Sequence, residues 1–172
     1  MRTKGFTLLE LIIVIAIIAV IMRMVSSMMV QKPKPLENFL GGMNALMHVA
    51  KTQAVLTHTP QRIYLDFDGR YARVDSEVGK KTTGEGEFAP VQVAYLPTRM
   101  DFMPQIVIEK LFINGKEELS GSRKPQSWFY INAQGIAQQI SMVIGLSDSP
   151  QKKTLVLNPL SGLFKEPNEA AA

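Results

Sequence analysis

Leu11–Met22, LIIVIAIIAVIM, is twelve apolar residues without interruption, set behind a short basic N-terminus. Arg23 breaks the run and MVSSMMV carries it on to Val30. From Phe6 to Val30 is 25 residues, about 37 Å as a helix at about 1.5 Å per residue. The hydrocarbon core of a bilayer is about 30 Å thick, so the span suffices with some tilt. Two charges interrupt it. Arg23 lies in the C-terminal third and can extend its guanidinium toward the headgroups. Glu10 is harder to place, because a carboxylate beside an apolar run is costly without a partner.

Three plain readings compete for this segment. In a secretory signal peptide, Arg2 and Lys4 are the charged region and Leu11–Met22 the apolar one. No small-x-small cleavage site follows, only Ser26 and Ser27. In a simple signal anchor, Glu10 has no role. A buried core helix fits poorly with a position at the start of the chain, behind basic residues.

The pattern Lys4-Gly5-Phe6-Thr7-Leu8-Leu9-Glu10 changes the balance. It resembles the processing site of type IV pilins and type II secretion pseudopilins, in register with the apolar span. The resemblance implies cleavage by a prepilin peptidase between Gly5 and Phe6, N-methylation of Phe6, and an assembly role for Glu10, the fifth residue of the cleaved chain. A carboxylate in an apolar bundle wants a cation. The new α-amine of a neighbouring subunit supplies one if the helices are staggered by the rise from Phe6 to Glu10, about 6 Å. Glu10 then acts as a ruler for the step between subunits. The competing reading is that Glu10 only complements the helix dipole.

The formal net charge of +4 belongs to the N-terminus. Arg2, Lys4, Arg23, Lys32 and Lys34 face Glu10 alone within residues 1–35, while residues 36–172 hold 14 basic and 14 acidic side chains. A nucleic-acid-binding domain carries its excess charge on the folded part, so this distribution argues against that partner. The basic pairs Lys80-Lys81, Arg123-Lys124 and Lys152-Lys153 read as solvated loop charge. There is no cysteine, which excludes disulfides, thiol catalysis and cysteine-ligated metal.

Pro33 and Pro35 predict a kink or gap after the apolar span. Leu36–Thr57 then reads as an amphipathic helix. Leu36, Phe39, Leu40, Met43, Leu46, Met47, Ala50 and Ala54 recur at spacings of three and four, a stripe expected to be core rather than a cofactor box. Gly41-Gly42 weakens it by about 1 kcal/mol per glycine relative to alanine.

From Arg62 the pattern changes to about seven short strands. Residues 63–67 and 70–75 flank Asp68-Gly69, which reads as a two-residue hairpin turn. Ser76–Glu87 reads as an exposed loop. Val91–Leu96, Gln105–Phe112, Trp128–Asn132, Ile136–Ile144 and Thr154–Asn158 are further strands, with turns at Asn114-Gly115 and Gln134-Gly135. FYINAQGIAQQI and LVLNPLSGLFK are similar to the H-type minor pseudopilins and their minor-pilin relatives.

Chemistry-bearing clusters are missing from the pattern. His48 and His58 have no acidic pair beside them and no zinc or iron ligand spacing. Asp66 and Asp68 lack the further ligands of a calcium loop, and Asp148 alone is weak support for one. No phosphate-binding glycine loop or nucleophile elbow occurs. The expectation is therefore no enzyme, no metal and no cofactor.

The reading is an α+β fold. A long N-terminal transmembrane and amphipathic helix packs on an antiparallel β-sheet head, in the pilin-like manner. Residues 1–5 are a leader, 6–30 a transmembrane helix, 31–60 a kinked amphipathic helix and 61–172 a periplasmic head. The resemblance implies a single-pass protein of the bacterial inner membrane, a minor pseudopilin supporting protein export. Its implied partners are other pilin-like subunits of the fibre, the prepilin peptidase and an inner-membrane assembly platform. The alternative is a minor type IV pilin that binds DNA or surfaces.

Overall fold

The computed structural model describes residues 8–29, 34–80, 86–119 and 124–167. The chain divides into two units, Met1–Lys34 and Pro35–Ala172.

The first unit holds α1, Leu8–Met29. Its described side chains, at 8 and 10–23, are all exposed. Among the described residues, no helix is long and apolar enough to cross a membrane. Gly5, Phe6 and residues 30–33, where the cleavage site and the proline break were expected, lie outside the described residues.

The second unit opens with α2, Pro35–Thr57. Proline at the first helical position costs no hydrogen bond. Leu36, Phe39, Met43, Leu46, Met47, Val49, Ala50 and Ala54 are buried, so the apolar stripe is the core face. Val49 joins it beyond the expected set, and Leu40 is only partly buried against the core. The helix stops at His58, which takes a left-handed conformation (φ 53°) in the place glycine usually occupies.

Two antiparallel sheets follow, where one was expected. The first orders β3 (Gly86–Pro90), β2 (Tyr71–Lys80), β1 (Gln61–Asp66) and β7 (Gln126–Ile131), with β4 (Arg99–Asp101) also on β2. The second orders β10 (Leu163–Lys165), β9 (Ser149–Asn158), β8 (Ile140–Leu146), β5 (Ile106–Ile113) and β6 (Lys116–Glu117). The described residues thus make ten strands, where about seven were expected. α2 packs against strands of both sheets. Asn44 ties it to β10: its Nδ2 donates to the Phe164 carbonyl at 3.2 Å, and the Phe164 N–H donates to its Oδ1 at 2.7 Å. Phe129 of β7 and Phe164 of β10 meet edge to face at 6.4 Å, which joins the two sheets in one core.

Several expected boundaries move. The polar stretch 76–87 is not all loop, because β2 runs to Lys80 and pairs with β3 from Gly86. Backbone pairing holds these polar residues in a ladder regardless of composition. Val91–Leu96 is not a strand. The sheet is left at Val91, whose N–H donates to the Val74 carbonyl, and rejoined at Thr98, whose carbonyl accepts from Val74 N–H. Pro90 and Pro97 bracket the excursion, and neither has a donor for the ladder. The first hairpin closes at Asp66↔Tyr71, so its loop has four residues rather than two. Arg70, not Gly69, takes the left-handed position there (φ 56°). β8 starts at Ile140, not Ile136, because Gln138 is occupied on the β7 edge. It donates its N–H to the Tyr130 carbonyl at 3.0 Å and accepts the Tyr130 N–H on Oε1 at 2.9 Å.

Candidate functional site

α1 carries the only singled-out residue of the N-terminal motif that lies within the described residues. Glu10 stands in the helix's first turn, where a carboxylate complements the positive end of the dipole. Beyond it Leu11, Ile12, Ile13, Val14, Ile15, Ile17, Ile18, Val20, Ile21 and Met22 are all large apolar side chains in the open. Each is worth about 1.5–3 kcal/mol when taken out of water. A helix apolar on every side is one that something else covers.

The second feature is on the head, and the sequence reading missed it. On the outer face of the first sheet, arginines and aromatics alternate across strands. Arg62 lies opposite Asp75 and Tyr130, Tyr64 opposite Arg73 and Trp128, and Arg73 opposite Arg99. The Arg62 guanidinium sits 4.7 Å from the Phe88 ring centre and 5.6 Å from those of Tyr64 and Trp128. Arg73 is 4.6 Å from Tyr64, and Arg99 is 4.1 Å from Tyr71. These are cation–π distances. Asp75, fully buried, anchors the array: Arg62 Nη2 reaches its Oδ2 at 2.9 Å and Arg73 Nε its Oδ1 at 2.8 Å. Burial raises the Tyr64 hydroxyl's pKa above its ordinary value; Asp66 and Tyr71 add to this, while Arg73 and Arg62 oppose it. Trp128 and Tyr130 stay 42% and 38% exposed. The signal was present as Arg62, Tyr64 and Asp66 alternating, then Tyr71, Arg73 and Asp75 on the returning strand. Tryptophan, tyrosine and arginine are the residues in which binding energy concentrates at protein interfaces.

The other singled-out residues do not converge. His48 lines a shallow apolar groove with Val55, Leu56 and Leu163. Asp66 Oδ1 accepts the Gly69 N–H at 2.6 Å and so shapes the hairpin loop. Asp148 Oδ1 accepts from Ser147 Oγ at 2.9 Å. Lys152 and Lys153 lie on β9, not in a loop, and pair with Glu109 and Glu166. Lys124 pairs with Glu118 at 2.9 Å. Lys81 and Arg123 lie outside the described residues.

Residues 1–23 match the family model described as the prokaryotic N-terminal methylation motif. The fold is that of the minor pseudopilin EpsH from the Type 2 Secretion System of Vibrio cholerae. That structure superposes with a TM-score of 0.53 at 9% identity, over 77% of this chain and 96% of that one. The chain is pilin-like in motif and in fold. A second structure of Vibrio cholerae EpsH gives a TM-score of 0.48 at 8% identity, over 72% of this chain and 89% of that one. The type IV minor pilin FimU of Pseudomonas aeruginosa gives 0.41 at 15% identity, over 78% and 92%. No curated protein matches the sequence. The pilin-like α+β architecture expected from the sequence is thus the one observed, with the head built of two sheets.

Proposed function

We propose that this protein is a minor pseudopilin, a membrane-anchored subunit of a type II secretion pseudopilus. The observation that supports it most is Glu10 at the head of a helix whose apolar side chains are open on every side. A prepilin peptidase cuts between Gly5 and Phe6, and Phe6 is N-methylated. Residues 6–30 hold the subunit in the inner membrane, with the head in the periplasm. On assembly the carboxylate of Glu10 meets the α-amine of a neighbouring subunit's Phe6, which fixes the axial step at about 6 Å. A carboxylate that reaches that α-amine only when the helices are staggered by this step selects the correct register. The subunit performs no chemistry of its own; it packs its helix, sets register and offers contacts on its head. The assembly platform acts at the membrane, and other pilin-like subunits complete the fibre.

The test is the intact mass and N-terminal sequence of the protein from membranes of cells containing a prepilin peptidase. A methylated chain beginning at Phe6 is expected. A chain beginning beyond Ser27 overturns the reading, and an intact Met1 in the membrane fraction counts equally against it. The minor type IV pilin alternative shares the cleavage. It is separated by DNA binding of the protein in detergent, which falls steeply with salt if phosphates are contacted. The charge balance of residues 36–172 favours the pseudopilin.

A further inference from the structure

We propose that the head binds a second copy of this chain: the loop 91–98 of one copy seats Tyr95 in the groove that α2 and the β9–β10 turn form on the next. The two halves of the contact lie on opposite flanks of α2, so one chain carries both.

The projecting half is the excursion between Pro90 and Arg99. Tyr95 is fully exposed, with Leu96 and Pro97 exposed beside it. Its backbone is left-handed (φ 65°), a conformation unfavourable for a bulky side chain and retained where it serves a site. The loop is held at its base. The Val91 N–H donates to the Val74 carbonyl and the Val74 N–H to the Thr98 carbonyl, both at 2.9 Å. A ring presented on a fixed loop loses little freedom when a partner covers it. The segment, VQVAYLPT, carries no charge, so burying it strands no ion.

The receiving half is a groove of about 380 Å³. Val55, Leu56 and Leu163 line it with exposed apolar side chains. His48, Thr52 and Ser161 stand among them, and Lys51 turns its ammonium to the Leu160 carbonyl. A tyrosine is apolar along its ring and polar at its tip, and its hydroxyl takes a hydrogen-bond partner when buried. The groove offers both surfaces.

The placement of the halves selects a second copy. β4, which follows the loop, lies against α2 at Gly42, where a Cβ would meet Met100. The β9–β10 turn lies against it at Lys51, whose side chain a Cβ at Gly162 would meet. Gly42 and Lys51 are nine positions apart, two and a half helical turns, so they face opposite flanks of α2 about 13 Å apart along its axis. The loop cannot reach a groove across the helix it packs on, but it can reach a neighbour's. A contact between unlike faces of identical chains propagates from copy to copy. One loop in one groove is small beside the roughly 1,200 Å² of a stable interface, so each contact is weak and counts when several are held in line. This goes beyond the register set by Glu10 and requires no cleavage at Gly5.

The chain has no cysteine, so single cysteines can report the contact. Full-length Leu96→Cys and Thr52→Cys chains are mixed in mild detergent and oxidised. The mixed disulfide dimer is expected in excess over both like-with-like dimers. Tyr95→Gly in the Leu96→Cys chain keeps the thiol and removes the ring, and glycine accepts the left-handed backbone. It should cut the mixed dimer about tenfold. Leu56→Glu in the Thr52→Cys chain, a change at an exposed position, should cause the same loss. A mixed dimer no more abundant than the like-with-like ones overturns the proposal. So does a yield that Tyr95→Gly leaves unchanged.

Discussion

Arg62 and Asp75 face each other on adjacent strands, and Arg62 gives both Nε and Nη2 to one oxygen of that buried carboxylate, at 3.0 and 2.9 Å. The other oxygen takes Arg73 Nε at 2.8 Å. One acid thus positions two arginines, and these hold four aromatic rings in place. Asp75→Ala should cost about 2–3 kcal/mol in urea unfolding, below the full value for a deeply buried pair because both arginines can rehydrate. Near-ultraviolet circular dichroism should also weaken, as Trp128 and Tyr64 lose their neighbours. An unchanged aromatic signal would show that the stack does not depend on Asp75.

The two helix glycines should behave differently. A Cβ at Gly41 meets nothing within 4 Å, whereas one at Gly42 lies 2.0 Å from Met100 Sδ. Gly41→Ala should therefore raise stability by about 1 kcal/mol, the ordinary helix gain. Gly42→Ala should gain less or lose, and Met100→Ala in the same chain should restore the difference. Chemical unfolding of these three variants beside the unaltered chain and Met100→Ala alone decides this.

Core truncation should be costly at the contact between α2 and the sheets. Leu46 and Met43 are fully buried. Leu46→Ala should lower stability by about 2–5 kcal/mol, read as a shift in urea midpoint at constant slope.

Stability should respond to acid through Glu118. Its hydrogen bond to Lys124 holds the carboxyl below its ordinary value, helped by the charges of Lys124 and Lys116 and opposed by burial. A lowered folded-state value means the contribution is fully present above the ordinary carboxylate range. It is lost as pH falls through the lowered value. Glu118→Gln should remove that part of the pH dependence of Tm and leave the neutral-to-alkaline limb unchanged.

On the proposed assembly role, Glu10→Gln should leave cleavage and membrane association intact while reducing incorporation into fibres. The amide keeps the shape but cannot balance a neighbouring α-amine. Shear fractions analysed beside membrane fractions would measure it, and normal incorporation would return Glu10 to a helix-dipole role.

Much of the head was legible because local chemistry and tertiary need coincide. The α2 stripe from Leu36 to Ala54 reads as core and is core, since a helix has one face to bury. Asn114-Gly115 marks the β5–β6 turn, with both residues at positive φ (52° and 80°). Misreadings fell where pairing with another segment, not the local pattern, decides. Residues 76–80 look like loop until β3 pairs with them. Ile136–Gln139 alternate like a strand, yet Gln138 is taken by Tyr130.

The sequence alone determined the apolar N-terminal helix, the acid placed at its start, the amphipathic helix and the neutral, cysteine-free β-rich remainder. These rest on periodicity, charge and local motif, which act over a few residues. Only the tertiary structure decided that the strands form two sheets, that Asp75 collects Arg62 and Arg73, and that Arg70 reaches the edge of β5. Arg62 and Asp75 stand 13 positions apart, and Arg70 and Ile106 stand 36 apart. Their energy comes from burial and pairing that exist only once the strands lie side by side.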